Sequence, residues 1–181
     1  MSTITKPITF EESLLLPEDK CEEIVEGVPR HMPPASYNNA RAIERTRDSL
    51  RDRLPRKQFE ILSSSFGQLI RQSPLTYRVP DLAVYRKAGL KAEHYVISVP
   101  ELIVEVVSPG NRKGDLLELL AHYAEIGVPE VWFVALDRRE LTRFRLESGP
   151  YREFARIGAG NVDVLGVSVP LQEIWGDEFS G

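Results

Sequence analysis

The chain has 181 residues, 42% hydrophobic and 28% charged, with a formal net charge of -4 and a mean hydropathy of -0.24. That balance fits a single globular domain over residues 1–181 and excludes a disordered chain, and the net charge gives no support to tight non-specific nucleic-acid binding over the whole surface. Met1 to Pro7 lack the apolar core of a signal peptide, and no stretch nears the roughly 18 apolar residues of a membrane span. The lone Cys21 permits neither an intrachain disulfide nor a cysteine metal cluster, so the expectation is a cytoplasmic protein with a buried thiol and no membrane contact.

In chain order, Thr9 with Glu12 three residues on predicts a short capped helix that runs through Leu14 to Leu16 into Pro17. Glu22 to Val28 reads as a strand with a turn near Gly27, followed by a loop over His31-Met32-Pro33-Pro34. Ile43, Leu50 and Leu54 recur at helical spacing and predict a long helix from about Asn38 to Leu54, ended by Pro55. Strands follow at Phe59 to Leu62, Gly67 to Gln72 and Arg78 to Lys87, and His94 to Val99 extends or precedes the next, Leu102 to Val107. Asp115 to Ile126 predicts a second helix with Leu116, Leu119, Leu120 and Tyr123 on one face and Gly127 at its end. Glu130 to Leu136, Leu141 to Leu146, Tyr151 to Ile157 and Val162 to Val169 then read as antiparallel strands. The pattern implies an α/β or α+β domain with one mixed sheet, and no Gly-rich phosphate fingerprint accompanies it.

Glu105 stands out as a carboxylate inside the apolar strand that stops at Ser108-Pro109-Gly110. Burying an ionised acid is costly unless it is paired or binds a metal. Asp81 follows Pro80 on another strand, so two strands each offer one acid, a donor set suited to a hard cation such as Mg2+. An ion pair of either acid with Arg78 or Arg112 is an equal reading of the same residues. Between Arg41 and Lys57 seven basic residues face three acidic ones, which reads as a solvated helix face before it reads as a phosphate-contacting surface. His31, His94 and His122 are too scattered for a zinc pattern, Trp132 and Phe133 read as core, and Ser108 lacks the context of a nucleophile.

Pro80-Asp81-Leu82-Ala83-Val84, then Pro100-Glu101-Leu102-Ile103-Val104-Glu105-Val106-Val107-Ser108-Pro109, then Tyr123 with Gly127-Val128-Pro129-Glu130-Val131-Trp132, together resemble the Uma-two family of restriction-endonuclease-like proteins, within the PD-(D/E)xK nuclease superfamily. The resemblance covers nearly the whole chain, for Phe10 to Pro17 and Glu23 to Gly27 look like the family's opening. It implies a restriction-endonuclease-like core, a mixed sheet with flanking helices and C-terminal antiparallel hairpins. It also implies that Asp81, Glu105 and the carbonyl of Val106 hold Mg2+ or Mn2+, with Glu23 as an outer ligand, for hydrolysis of DNA phosphodiester bonds.

The chain departs from that pattern at its lysine. The superfamily position two residues after the glutamate holds Val107, and the alternative helix position holds Leu119. Lys113 is the nearest replacement that the resemblance offers as a catalytic residue, six residues or about 9 Å of helix before Leu119. Asn38 and Asn39 stand where relatives commonly carry a His, and Val131 and Ala135 where they carry Tyr and Asp. The leading expectation is therefore a metal-dependent endonuclease of DNA with weakened activity. A catalytically silent nuclease-fold protein that binds nucleic acid or a protein partner is the alternative, and an oligomer built through Glu130 to Ile157 is a third. A homodimer would suit cutting of both strands.

Overall fold

The computed structural model describes residues 6–16, 22–63 and 66–176; Cys21 and Pro17 lie outside them. Thr9 opens α1 (Phe10–Ser13) through a reciprocal cap: its hydroxyl accepts the Glu12 N–H at 3.2 Å, and the Glu12 carboxylate accepts the Thr9 N–H at 2.9 Å. The segment from Glu22 to Val28 is a hairpin and not one strand, with β1 (Glu22–Val25) and β2 (Val28–His31) joined by Glu26 and Gly27. Both turn residues take positive φ, 53° and 79°, the geometry whose twist matches a two-residue hairpin. The stretch from Val162 to Val169 breaks in the same way into β11 (Asn161–Val164) and β12 (Val167–Pro170), at Leu165 and Gly166 with φ of 50° and 82°.

Arg78 to Lys87 also divides. β5 (Leu75–Arg78) and β6 (Leu82–Arg86) belong to different sheets, and Val79-Pro80-Asp81 is the crossing between them. Pro80 has no N–H to donate to a ladder, which suits it to such a break. His94 to Val99 forms no strand and pairs through isolated bridges of Val96 with Gln68 and with Ala92. Two sheets and a separate hairpin therefore replace the single expected sheet. One is antiparallel, ordered β2-β1-β5-β4 with β4 at Gln68–Gln72. The other is the mixed sheet, ordered β10-β9-β8-β7-β6-β3, with β3 (Phe59–Ser63), β7 (Leu102–Val107), β8 (Glu130–Ala135), β9 (Glu140–Leu146) and β10 (Tyr151–Ile157).

Only β7 and β8 run parallel in the mixed sheet, and a parallel pair needs a crossover. Helix α3 (Lys113–Glu125) supplies it and packs Leu120 and Tyr123 against Ile103, Tyr85, Val131 and Phe133. On the opposite face α2 (Tyr37–Arg53), the short α4 (Leu171–Trp175) and the β11–β12 hairpin enclose Leu50, Leu102, Val104, Trp132 and Ile174. Alternation along β7 sends Leu102, Val104 and Val106 to the α2 side and Ile103 and Val107 to the α3 side. Glu105 shares the second register, on the side of α3. Part of the basic run is structural: Arg53 pairs with Glu173 of α4 at 2.6 Å, Arg45 donates to the Trp175 carbonyl at 3.1 Å, and Arg47 pairs with Glu44.

Leu50 is fully buried where α2 meets the sheet. Leu50→Ala is expected to lower unfolding stability by about 2–5 kcal/mol in urea titration, through lost burial plus the cavity left behind.

Candidate active site

Asp81 and Glu105 converge where the β5–β6 crossing meets β7. Leu82 pairs with Val104 across the antiparallel β6–β7 ladder, so the residue before β6 lies beside the outgoing end of β7. The Asp81 carboxylate accepts the Val106 N–H at 2.7 Å, which ties the crossing to the strand that carries Glu105. Tyr123 of α3 donates its hydroxyl to Glu105 at 2.5 Å. Sequence periodicity marks Tyr123 only as a core position, and the fully buried ring bears that out; nothing in the helical spacing announces the hydroxyl's partner.

Electrostatics set these two acids apart. Burial pushes the Asp81 carboxyl up to about 6, the Val106 N–H offsets part of that rise, and the Glu23 charge adds to it. Burial also raises Glu105 well above the usual carboxylate range, and the Asp81 charge raises it further, against the hydrogen bond from Tyr123. The phenol is pushed up in turn, first by burial and then by the Glu105 charge. Arg78 does not neutralise the pair, contrary to one reading of the sequence. Its guanidinium donates to Glu23 at 2.6 Å, to Glu118 at 2.9 Å and to His122 Nδ1 at 3.0 Å. His122 is thus a buried acceptor and not a surface histidine, with its pKa lowered by burial and then by the Arg78 charge.

Glu23, expected as an outer ligand, has both carboxylate oxygens engaged, one by Arg78 and the other by the Val79 N–H at 3.0 Å. It clamps the crossing that leads to Asp81. Arg112 and Lys113 sit exposed at the start of α3, and Lys113 makes no ion pair among the described residues. Val107 and Leu119, the two positions without lysine, are partly buried against the apolar cluster beneath α3.

Two carboxylates that burial holds above their ordinary pKa, with the charge of Asp81 raising Glu105 further, form a donor set with a chemical reason to take up a proton or a hard divalent cation. Among the described residues no three His, Cys, Asp or Glu side chains group tightly enough to complete a metal site. Any cation would therefore take its remaining ligands from backbone carbonyls and water, as Mg2+ commonly does.

Past the end of β7 lies a cleft of about 750 Å³. It is lined by Asn38 and Asn39 of α2, Val107 and Ser108 of β7 and its exit, and Arg138 and Arg139 of the turn after β8. Asn39 donates to the Ser108 hydroxyl at 3.1 Å across one side of it.

A model of the Uma2 family, described as "Putative restriction endonuclease", matches residues 10–173. A crystal structure from Anabaena variabilis ATCC 29413, described as "a putative nuclease belonging to DUF820", superposes with a TM-score of 0.76 at 16% identity, over 93% of this chain and 98% of that one. At that identity the likeness concerns the fold. No curated protein shows significant similarity to the chain. Among the described residues no helix is long and apolar enough to cross a membrane.

The raised Asp81 pKa makes a signed prediction. A folded state that holds the proton more tightly than the unfolded chain is favoured at low pH and loses that advantage as pH climbs from about 3.8 to about 6. Asp81→Asn, which keeps an acceptor for the Val106 N–H, is expected to be more stable than wild type by about 1–3 kcal/mol at pH 7.5. The difference should vanish below pH 4 when both proteins are unfolded in urea.

Proposed function

Because the chain belongs to the Uma2 family, we propose that it is a metal-dependent endonuclease that hydrolyses DNA phosphodiester bonds in the cytoplasm. The observation that carries this reading is the pair Asp81 and Glu105, two acids brought together at the end of β7, both raised by burial and the second raised further by the charge of the first. In the proposed site Asp81, Glu105 and the Val106 carbonyl hold Mg2+ or Mn2+. A bound divalent cation supplies Lewis-acid polarisation of the phosphodiester and a more acidic water.

The chain's own residues do the positioning. Val106 N–H fixes the Asp81 carboxylate, and the Tyr123 hydroxyl fixes Glu105. Glu23 acts one step back, through Val79 and Arg78, and not as a ligand. Lys113 is the cation proposed to meet the phosphate, free in solvent at the first turn of α3. A solvent-borne lysine orients a water less well than one fixed in the site, so weak turnover follows. Cleavage of both DNA strands would call for two copies of the chain or for repositioning of one.

A second reading is favoured by Val107 and Leu119, whose apolar packing occupies both lysine positions. It is a nuclease fold that binds nucleic acid or a protein partner without cutting.

Nicking of supercoiled plasmid in Mg2+ and in Mn2+ separates the two. Wild type is expected to nick slowly, and Asp81→Ala and Glu105→Ala are each expected to lose more than about a hundredfold in rate. Lys113→Ala should cost roughly tenfold or more. No nicking by folded wild type in either metal sinks the endonuclease reading. Leu119→Lys adds a gain-of-function arm: a faster rate means the remaining site is intact, whereas a silent Leu119→Lys protein supports the binding role.

A further inference from the structure

We propose that His122 is a positioning residue of the site and an acid-sensitive latch on it: through Arg78 its ring holds α3 to the crossing that carries Asp81, and a proton on Nδ1 opens that hold. This rests on the nuclease reading of Asp81 and Glu105 and names how acidity would regulate them.

Hydrogen-bond polarity fixes the state of the ring. A guanidinium only donates, so His122 Nδ1, 3.0 Å from Arg78 Nε, has to be a lone-pair acceptor. The imidazole is therefore neutral, with its proton on Nε2. Both side chains are buried, Arg78 at 5% and His122 at 7% exposure. The other two guanidinium nitrogens are committed to Glu23 at 2.6 Å and Glu118 at 2.9 Å. A proton on Nδ1 removes the acceptor and sets two buried cations face to face.

Each carboxylate around His122 already holds an arginine. On its own helix Glu118 holds Arg30 and Arg78, and Glu125 holds Arg71 of β4 at 2.7 Å. Glu26, in the β1–β2 turn, meets Arg71 from its other side at 3.0 Å, and Glu23 of β1 is engaged by Arg78. Burial and then the Arg78 charge lower the His122 pKa, Arg71 acts in the same direction, and Glu118 and Glu125 act against them. The latch is thus closed at neutral pH and opens as pH falls below the ordinary histidine value of 6.5.

Two connections carry the opening to the acids. Glu23 takes Arg78 on one oxygen and the Val79 N–H on the other, two residues before Asp81. His122 also directly precedes Tyr123, whose hydroxyl meets Glu105. One proton on the ring therefore loosens the seats of both acids, a route separate from protonation of the acids themselves.

His122→Asn separates the two routes. Its side-chain oxygen sits where Nδ1 sits, can accept from Arg78 Nε and takes no proton in this range. Asp81 and Glu105 are present in both proteins, so a difference in pH dependence belongs to His122. Each protein's plasmid-nicking rate in Mn2+ at pH 5.5 is divided by its own rate at pH 8. The wild-type ratio is expected to be about tenfold lower than the His122→Asn ratio. NMR titration of the same full chains reads the latch without turnover. The Val79 and Val106 amide resonances of wild type are expected to follow the His122 ring, with a midpoint below 6.5, and His122→Asn is expected to lack that component. Equal nicking ratios overturn the proposal. So does a His122 ring that titrates at or above 6.5, or amide titrations that are the same in the two proteins. Nicking absent from both at every pH sinks the nuclease reading alone, and the amide titrations then decide the latch.

Discussion

The arrangement depends on one hydrogen bond, from the Val106 N–H to Asp81. The chain leaves the antiparallel sheet at Arg78 and enters the mixed sheet at Leu82, so the three residues between belong to neither ladder. An acid in such a link would ordinarily turn to water. Here the β7 backbone captures it, and burial pushes the carboxyl up to about 6 against the hydrogen bond's opposing effect. Glu105 sits one residue before the donor, so the bond that buries the first acid also brings its charge to the second.

Around that bond the neighbours divide their tasks. Arg78, Glu23, Glu118 and His122 form a compensated set in which each charge meets a partner, and they lock β1, the crossing and α3 together. Asp81 and Glu105 receive hydrogen bonds, from the Val106 N–H and the Tyr123 hydroxyl, and stand outside the Arg78 set. A structural ion-pair network thus stands beside two acids that burial holds above their ordinary pKa. Replacing a buried pair such as Arg78 and Glu23 by apolar residues can be neutral, but removing one partner leaves an isolated charge. The network is therefore intolerant of single changes even where it does no chemistry.

The apolar substitutions at Val107 and Leu119 fit the same balance. Both pack on the cluster beneath α3 that also holds Tyr123, whose hydroxyl meets Glu105. A lysine at either position would bring a cation in place of that packing. Among the described residues, Arg112 and Lys113 after the end of β7 are exposed, and Arg138 and Arg139 line the cleft beyond it.

The sequence by itself determined the helices with strong 3.6-residue periodicity, the cap at Thr9, the apolar β7 interrupted by Glu105, and the candidacy of Asp81. These are local signals: a period, a capping pattern, or a charge where its neighbours are apolar. It also carried the family motifs that tie the segments together. The tertiary structure decided what local signals leave open. Whether Glu26 and Gly27, or Leu165 and Gly166, continue a strand or reverse it depends on positive φ at both residues, which spacing does not reveal. Whether Arg78 pairs with Asp81, three residues away, or with Glu23, 55 residues away, depends on which sheet each joins. Tyr123 reads as one more apolar position on α3, and only the crossover from β7 to β8 carries its hydroxyl to Glu105. Each of these outcomes is a contact between groups distant in sequence, set by sheet order and crossover geometry, which is the information that a period or a motif does not contain.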